Sequence, residues 1–574
     1  MKKILRTLAA SLALSMTLLL PVSAFPAEED PVIKIGLAYG NDARPSPKLL
    51  NFAGEEEGYD FGWYDEDNQF IDVAYTEVRD IVMLKDQYIY MSADENFMEQ
   101  KPSNCVKTFQ PYHIETEESF DSYEDALEAA EWIADEGYEA FPAYHDGEHK
   151  VRVGEYGSLS AAKNAVDDAV DFLGYDFYAV GNSSSCYTVA RCKTGEILYE
   201  FDDNGQPFGV RPWSEQTWFS GHCYNGGFEY NRVNGNDLTV INVIGVHDYV
   251  KGVITGEMNP DWNVEALKAQ ALCAKSYTLT NLNKHKKAYG FDICNTTCCQ
   301  AYSGTRQQNA NSNAAVDDTY GLFMLYDGEI VQAFYHASSG GATEDAKNVW
   351  GIDLPYLKAV EDAYLTQTLP YAFTVTNSQL KEILKAKGYS ITGEIVDFYV
   401  SEYTAAGNVR SITFVQDNGK ELVFSGERAR TILNNSSYGY QVKSQRFTVT
   451  PGSGSGTSNV QNGTPVNNSW ISTLLTKLYA IGSSGISKLK LDNDKVYALT
   501  ASGKVALSEL NGTKTSGSQG GSKGSAGSYV VSGTGSGHNV GLCQWGAKAM
   551  ADDGWDYEEI LQYYFTDIDI NYLY

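Results

Sequence analysis

The sequence predicts an α+β, multidomain protein, and three observations carry that reading. At 574 residues the chain is too long for one domain; the length suggests roughly three or four. Between Tyr112 and Gly181 the elements follow the order β-α-β-β-α-β, which sets two helices on one face of a small sheet. Beyond Cys192, strand-like stretches lead into two helices around an Asn-Pro break, followed by further strands and helices without a regular βα repeat.

The first 24 residues read as a signal peptide: Lys2, Lys3 and Arg6, an apolar run from Leu8 to Leu20, then Val22-Ser23-Ala24 as a cleavage site. The apolar run is short for a spanning helix, so an extracytoplasmic protein, secreted or wall-associated in a bacterium, is expected. An uncleaved signal would instead anchor it to the membrane. The formal net charge of −31 argues against nucleic acid or anionic lipid as partner. Nine cysteines in so long a chain do not make a disulfide scaffold, and the odd count leaves at least one thiol for another use.

Residues 31–109 alternate short apolar runs with acidic turns, a β-rich region without a chemical motif. In the next segment, 110–182, Ser122 precedes one helix with an acidic first turn, Asp146-Gly147 marks a hairpin, and Ser158 starts a second helix. The run H-K-V-R-V-G-E-Y-G-S-L-S-A-A-K-N-A-V, from His149 to Val166, resembles the second half of a SPOR (sporulation-related repeat) domain. The resemblance implies a sheet face that binds peptidoglycan strands stripped of stem peptides. The same layout also serves packing modules that bind nothing.

The stretch from Val243 to Tyr277 organises the chain. Val250, Val253, Ile254 and Glu257 fall at i, i+3, i+4 and i+7, one face of a helix that Asn259-Pro260 ends. A carboxyl group closing an apolar stripe is partly desolvated, which raises its pKa as a general acid requires. A surface glutamate at a frayed helix end has the same spacing.

Five blocks speak for the acid. Tyr249–Met258, Glu265–Tyr277, Phe334–Glu344, Asn348–Leu357 and Gly535–Ala551 resemble, in order, the stage II sporulation protein D family, over roughly 195–450 and 529–570. The resemblance implies a lytic transglycosylase that cleaves MurNAc-GlcNAc bonds of stem-peptide-free strands, with Glu257 of the G-E-M block as catalytic acid. It equally admits a non-catalytic enhancer of an N-acetylmuramoyl-L-alanine amidase, and so an amidase as partner. The chemistry needs one carboxyl group: the sugar's own C6 hydroxyl attacks C1, giving a 1,6-anhydro end, so the second carboxylate of ordinary glycosidases is not required. The resemblance places Gln270, Lys275, Ser276 and Tyr277, the turn residues His336, Ser338, Ser339 and Gly340, and His538, Gln544 and Trp545 around the cleft.

The segment Phe291–Tyr302 also matches that family, where this position can hold zinc, so Cys294, Cys298, Cys299 and His285 are the expected ligands of a structural zinc. Cys298 stands where the usual pattern has histidine. Outside the cell, a disulfide from Cys294 to Cys298 or Cys299 is the rival arrangement, and His285, among lysines, also reads as a solvated helix end.

Residues 373–449 read as an accessory lobe of the same domain. Pro451–Ser469 and Gly512–Ser528 are Gly/Ser/Asn/Thr-rich linkers around a small insertion, Trp470–Leu510. The expected organisation is therefore a signal peptide (1–24), a β-rich region (31–109), a SPOR-like module (110–182), a main catalytic part (195–450), linkers with an insertion (451–528), and a segment 529–574 that returns to complete the catalytic domain. G-H-N-V-G in place of that family's G-H-G-V-G, and Cys543, are departures within the returning segment.

Overall fold

The computed structural model describes residues 30–52, 57–452 and 527–572, together with the backbones of four short strands at 479–482, 485–488, 497–500 and 503–506. The signal peptide, most of both linkers and the apolar segment around Trp470 lie outside the described residues. The architecture is mixed α+β, with two large sheets and several small ones.

The seven-stranded sheet is the scaffold of the site. Strand Val32–Ala38 sits inside it, antiparallel to Thr239–Gly245 on one side and parallel to Ile293–Cys294 on the other. The expected β-rich region at 31–109 is therefore built into the same sheet as the domain that follows it.

The SPOR-like expectation meets a similar outcome. Strands Tyr112–Thr116, Ala140–His145, Glu148–Tyr156 and Phe177–Val180 pair in the spatial order fourth, first, third, second, and helices Tyr123–Asp135 and Leu159–Leu173 cover one face through Ile114, Val151 and Val153. Ser122 and Ser158 cap those helices through their side chains. The second of the four strands then pairs in parallel with Ile197–Asp202, so one ten-stranded sheet crosses the expected boundaries at 110, 182 and 195.

Its other face is not open to a ligand. Alternation along the strands puts His113, Glu115 and Arg152 there, all nearly inaccessible. Arg152 Nε donates to Glu115 Oε2 at 2.7 Å and Nη1 to Glu200 Oε2 at 2.7 Å, while Thr188 Oγ1 donates to Glu200 Oε1 at 2.6 Å. Buried charges persist only when paired, and these are paired within the protein. The surface that the SPOR resemblance assigns to glycan is filled by the chain itself.

The accessory lobe has its own core, with Leu380, Ile383, Phe398, Phe414 and Ile432 fully buried. Strand Ser528–Gly533, arriving after the insertion, pairs between Tyr371–Thr376 and Phe447–Pro451. The chain then crosses to the central helices: Leu542–Cys543 pairs with Tyr335–His336, and helices Gln544–Asp552 and Tyr557–Tyr564 pack on Val264–Thr280. Asn263 Nδ2 donates to the Ala551 carbonyl at 2.8 Å, closing this contact.

Candidate active site

The helix Val246–Glu257 leaves the central sheet directly at Gly245, and the Asp30 carboxylate accepts from the His247 N–H at 3.0 Å in its first turn. Val250, Val253 and Ile254 are buried, and Met258 turns extended ahead of Asn259-Pro260. Glu257 thus closes the apolar stripe as the spacing predicts, and it is half-buried rather than free in solvent.

A close approach fixes its carboxylate. The helix lies so near the loop 295–304 that a Cβ on Gly256 would stand 2.8 Å from the Ala301 carbonyl oxygen. At that distance the Ala301 N–H donates to Glu257 Oε1 at 2.9 Å. The Tyr335 hydroxyl and the Gln544 amide also face the carboxyl group and favour its charged form. Burial pushes the Glu257 carboxyl above the ordinary glutamate range, while these three partners pull it back down. None of the three is a carboxylate.

The partners are themselves held. Gln300 Nε2 donates to Tyr335 Oη at 3.1 Å and to the Ala274 carbonyl at 3.3 Å, and its Oε1 accepts from Thr278 Oγ1 at 2.8 Å. Gln544 Nε2 donates to Gln270 Oε1 at 3.2 Å, and the buried Gln270 Nε2 has no partner among the described residues. Trp545 packs against Trp262, ring centroids 4.8 Å apart, and its backbone N–H donates to the Ala337 carbonyl. Tyr335, Gln300 and Ala301 were not among the sequence-derived candidates.

The other candidates divide. Tyr277 stands beside the Tyr335 ring, centroids 6.5 Å apart, on the side of Lys284 and the cysteine cluster. Ser276 is fully buried, its Oγ without a partner among the described residues. Lys275 turns away from Glu257: Nζ donates to the Thr319 carbonyl at 2.8 Å and lies over the Phe323 ring, and burial pushes its pKa down to about 8. The structure does not bring Lys275 into the cleft.

His336, next to Tyr335, points the opposite way. Its Nδ1 lies 3.2 Å from the Val540 carbonyl, its Nε2 is buried without a partner among the described residues, and its ring faces His538 at 5.6 Å. Burial pushes His336 down to about 4 and His538 well below the usual histidine range, so both are neutral near pH 7. Ser338 Oγ donates to the Gln367 carbonyl at 2.7 Å and Ser339 Oγ to Asp362 Oδ2 at 2.6 Å. Gly340, at φ +70°, faces the Thr534 carbonyl so closely that a Cβ would lie 2.5 Å from it. The S-S-G-G turn and the G-H-N-V-G loop therefore lock each other, and act on Glu257 by positioning Tyr335 and Gln544.

Beside the acid lies a four-donor cluster. One ligand atom from each of His285, Cys294, Cys298 and Cys299 falls within 4.8 Å of every other. Cys299 Sγ is 3.4 Å and Cys298 Sγ 3.9 Å from His285 Nε2. A tetrahedral zinc, with Zn–S about 2.3 Å and Zn–N about 2.0 Å, separates its donors by roughly 3.5–3.8 Å, so the set fits. His285 does stand at a helix end, as the N-cap of Lys286–Tyr289, but it is half-buried with its ring towards the cluster and its backbone N–H bonded to the Asp292 carbonyl. Among the described residues Cys294, Cys298 and Cys299 form no disulfide, the arrangement that rivals the zinc site.

Residues 234–326, which hold Glu257, Gln300, Ala301 and the cysteine cluster, match the family described as Stage II sporulation protein, SpoIID. An uncharacterized protein of Brachyspira hyodysenteriae is 28% identical over 348 residues, 60% of this chain and 72% of that protein. The amidase enhancer of Bacillus subtilis is 29% identical over 55% of this chain, and the stage II sporulation protein D of Bacillus amyloliquefaciens 27% identical over 36%. Those two matches span 39% and 63% of the relatives' own lengths.

Proposed function

We propose that this chain is an extracytoplasmic lytic transglycosylase acting on MurNAc-GlcNAc bonds of stem-peptide-free peptidoglycan strands. The observation that carries the reading is Glu257, a half-buried carboxyl group raised by desolvation and held by Ala301, Tyr335 and Gln544. Protonated Glu257 gives its proton to the leaving O4 as the C1–O4 bond breaks. The C6 hydroxyl oxygen then bonds to C1, and its proton passes to the Glu257 carboxylate, restoring the acid without consuming water. Ala301, Tyr335 and Gln544 stabilise the transient carboxylate between the two transfers.

Digestion of denuded strands tests this. Wild-type protein releases 1,6-anhydro ends detectable by mass spectrometry, and Glu257→Gln does not; no anhydro product from wild type overturns the reading.

One specific observation favours a second role: a relative bears the name amidase enhancer. In that reading the same cleft holds glycan without cutting it and stimulates a cell-wall amidase, so mixing restores amidase turnover while no anhydro ends form.

The cluster of His285, Cys294, Cys298 and Cys299 supports a structural zinc. The metal would supply a closed cross-link and no step of the reaction. Its effect would be to fix the loop whose next residues, Gln300 and Ala301, hold Tyr335 and Glu257.

A further inference from the structure

The module at 110–182 has a closed sheet face, yet its helical face holds two large apolar side chains in solvent. Trp132 is 45% and Phe172 60% exposed. Each stands one residue before the buried Ile133 or Leu173, so it is rotated about 100° off the stripe that meets the sheet. Packing the helices on the sheet therefore leaves both rings outside.

The two rings belong to one surface. Trp132, in the last turn of the first helix, meets Tyr175 edge to face, ring centroids 6.2 Å apart. Phe172, in the last turn of the second, tilts against Tyr138 at 5.9 Å. Tyr138 follows the first helix and Tyr175 the second, so the contacts cross and bring both C-terminal ends to one aromatic seam. Exposed apolar residues scattered singly are ordinary, but large rings gathered in a seam point to a contact surface.

The charge around the seam says what fits it. Neighbours on a helix lie three and four residues apart, and Glu128, Asp135 and Asp168 stand at those offsets from Trp132 and Phe172, all exposed. The two helices carry five and three acidic residues and one basic residue, Lys163, near the start of the second. Neither has a basic residue in its last turn, where a cation would offset the negative end of the helix dipole. The module's other bases are engaged, Lys150 with Glu148 and Arg152 with Glu115 and Glu200. The seam is thus apolar at its centre and negative around it. Such a rim repels nucleic acid, anionic lipid and carboxylate-bearing glycan, and attracts a cationic surface.

We propose that this seam docks a basic segment of another protein, which lays an apolar side chain against Trp132 and Phe172 and turns lysines or arginines to Glu128, Asp135 and Asp168. The apolar anchor supplies affinity, and the charges supply approach and register. The inference rests on neither reading of Glu257. It gives the module a protein to hold on its helices, in place of glycan on its sheet.

The test titrates the full chain with a fluorescent amphipathic helical peptide of leucine and lysine, read by anisotropy. Its leucine–glutamate counterpart and polylysine of equal length are the controls. The leucine–lysine peptide binds about tenfold more tightly than either control. Trp132→Ser combined with Phe172→Ser removes the advantage over polylysine. Asp135→Asn combined with Asp168→Asn weakens binding about fivefold and lowers its salt dependence. All four side chains are exposed, so these variants keep the fold. Hydrogen exchange of the unsubstituted chain is an independent readout, in which the peptide slows exchange at 131–138 and 171–176. Unchanged affinity in either variant, protection elsewhere, or no binding overturns the proposal. Binding of denuded glycan strands, or self-association of the chain, that the Trp132/Phe172 variant abolishes also overturns it, by giving the seam another occupant.

Discussion

The backbone N–H of Ala301 donates to Glu257 Oε1 at 2.9 Å, tying the last residue of a helix to a loop 44 residues further on. The bond favours the carboxylate, whereas burial favours the acid, so the resting proton affinity of Glu257 is a balance between helix position and loop position. Whatever moves that loop moves the acid.

Replacing Glu257 by Gln keeps the shape and removes the proton. Anhydro-product formation is expected to fall by about 10³-fold, the scale of a lost acid/base catalyst, with an unchanged circular dichroism spectrum. Residual activity within tenfold of wild type would assign the chemistry to another group.

Tyr335→Phe separates the hydroxyl from the ring. Loss of a hydrogen bond to a charged group costs about 2 kcal/mol, so a rate loss of at least about tenfold is expected. The Tyr335 bond lowers the Glu257 pKa, so removing it raises that pKa further. Since the proposed reaction needs protonated Glu257, its rate is expected to fall as pH rises through that value. The alkaline limb of the kcat/KM profile therefore moves to higher pH in the variant; a shift the other way refutes the geometry.

Cys299→Ser, or chelation of the wild type, is expected to release one zinc per chain, measured by plasma emission spectrometry. Hydrogen exchange should then rise in the amides of 295–302 and stay unchanged in the accessory lobe, whose core is separate. A chain that is metal-free as isolated, with ordinary protection of that loop, removes zinc from the account.

Glu115 supplies a pH test of stability. Burial alone would raise its pKa, but Arg152 and His145 overcome that and hold it at about 2, against an unfolded value near 4.5. The unfolded state thus binds more protons between those values. A stabilisation of about 3 kcal/mol, complete above pH 4.5, is lost as pH falls towards 2. Denaturant titrations should find this decline in wild type and a flatter profile in Glu115→Gln.

Much of the site was legible before the fold was known, though unevenly. The i, i+3, i+4, i+7 stripe and the Asn-Pro break gave Glu257 its place, because helix periodicity holds over three turns. Gln270 and Tyr277, seven residues apart, share one side of their helix. Lys275, five residues from Gln270, is rotated about 140° from it and turns to Thr319. Tyr335 was missed because its strand is two residues long, too short for an alternating pattern to reveal that Tyr335 and His336 face opposite ways. Ala301 acts through its amide, which every residue but proline carries, and no side-chain pattern can mark it. The module at 110–182 had a readable order of elements, but the burial of its sheet face depends on Glu200 and Thr188, outside any window around the motif.

The Gln544 side chain has a consequence in time. Glu257 emerges from the ribosome nearly three hundred residues before the amide that must sit over it, and strand Leu542–Cys543 is what carries that amide home. An unfinished chain holds an acid with no roof. On the proposed function, the acid is complete only once the strand Leu542–Cys543 has docked beside Tyr335–His336.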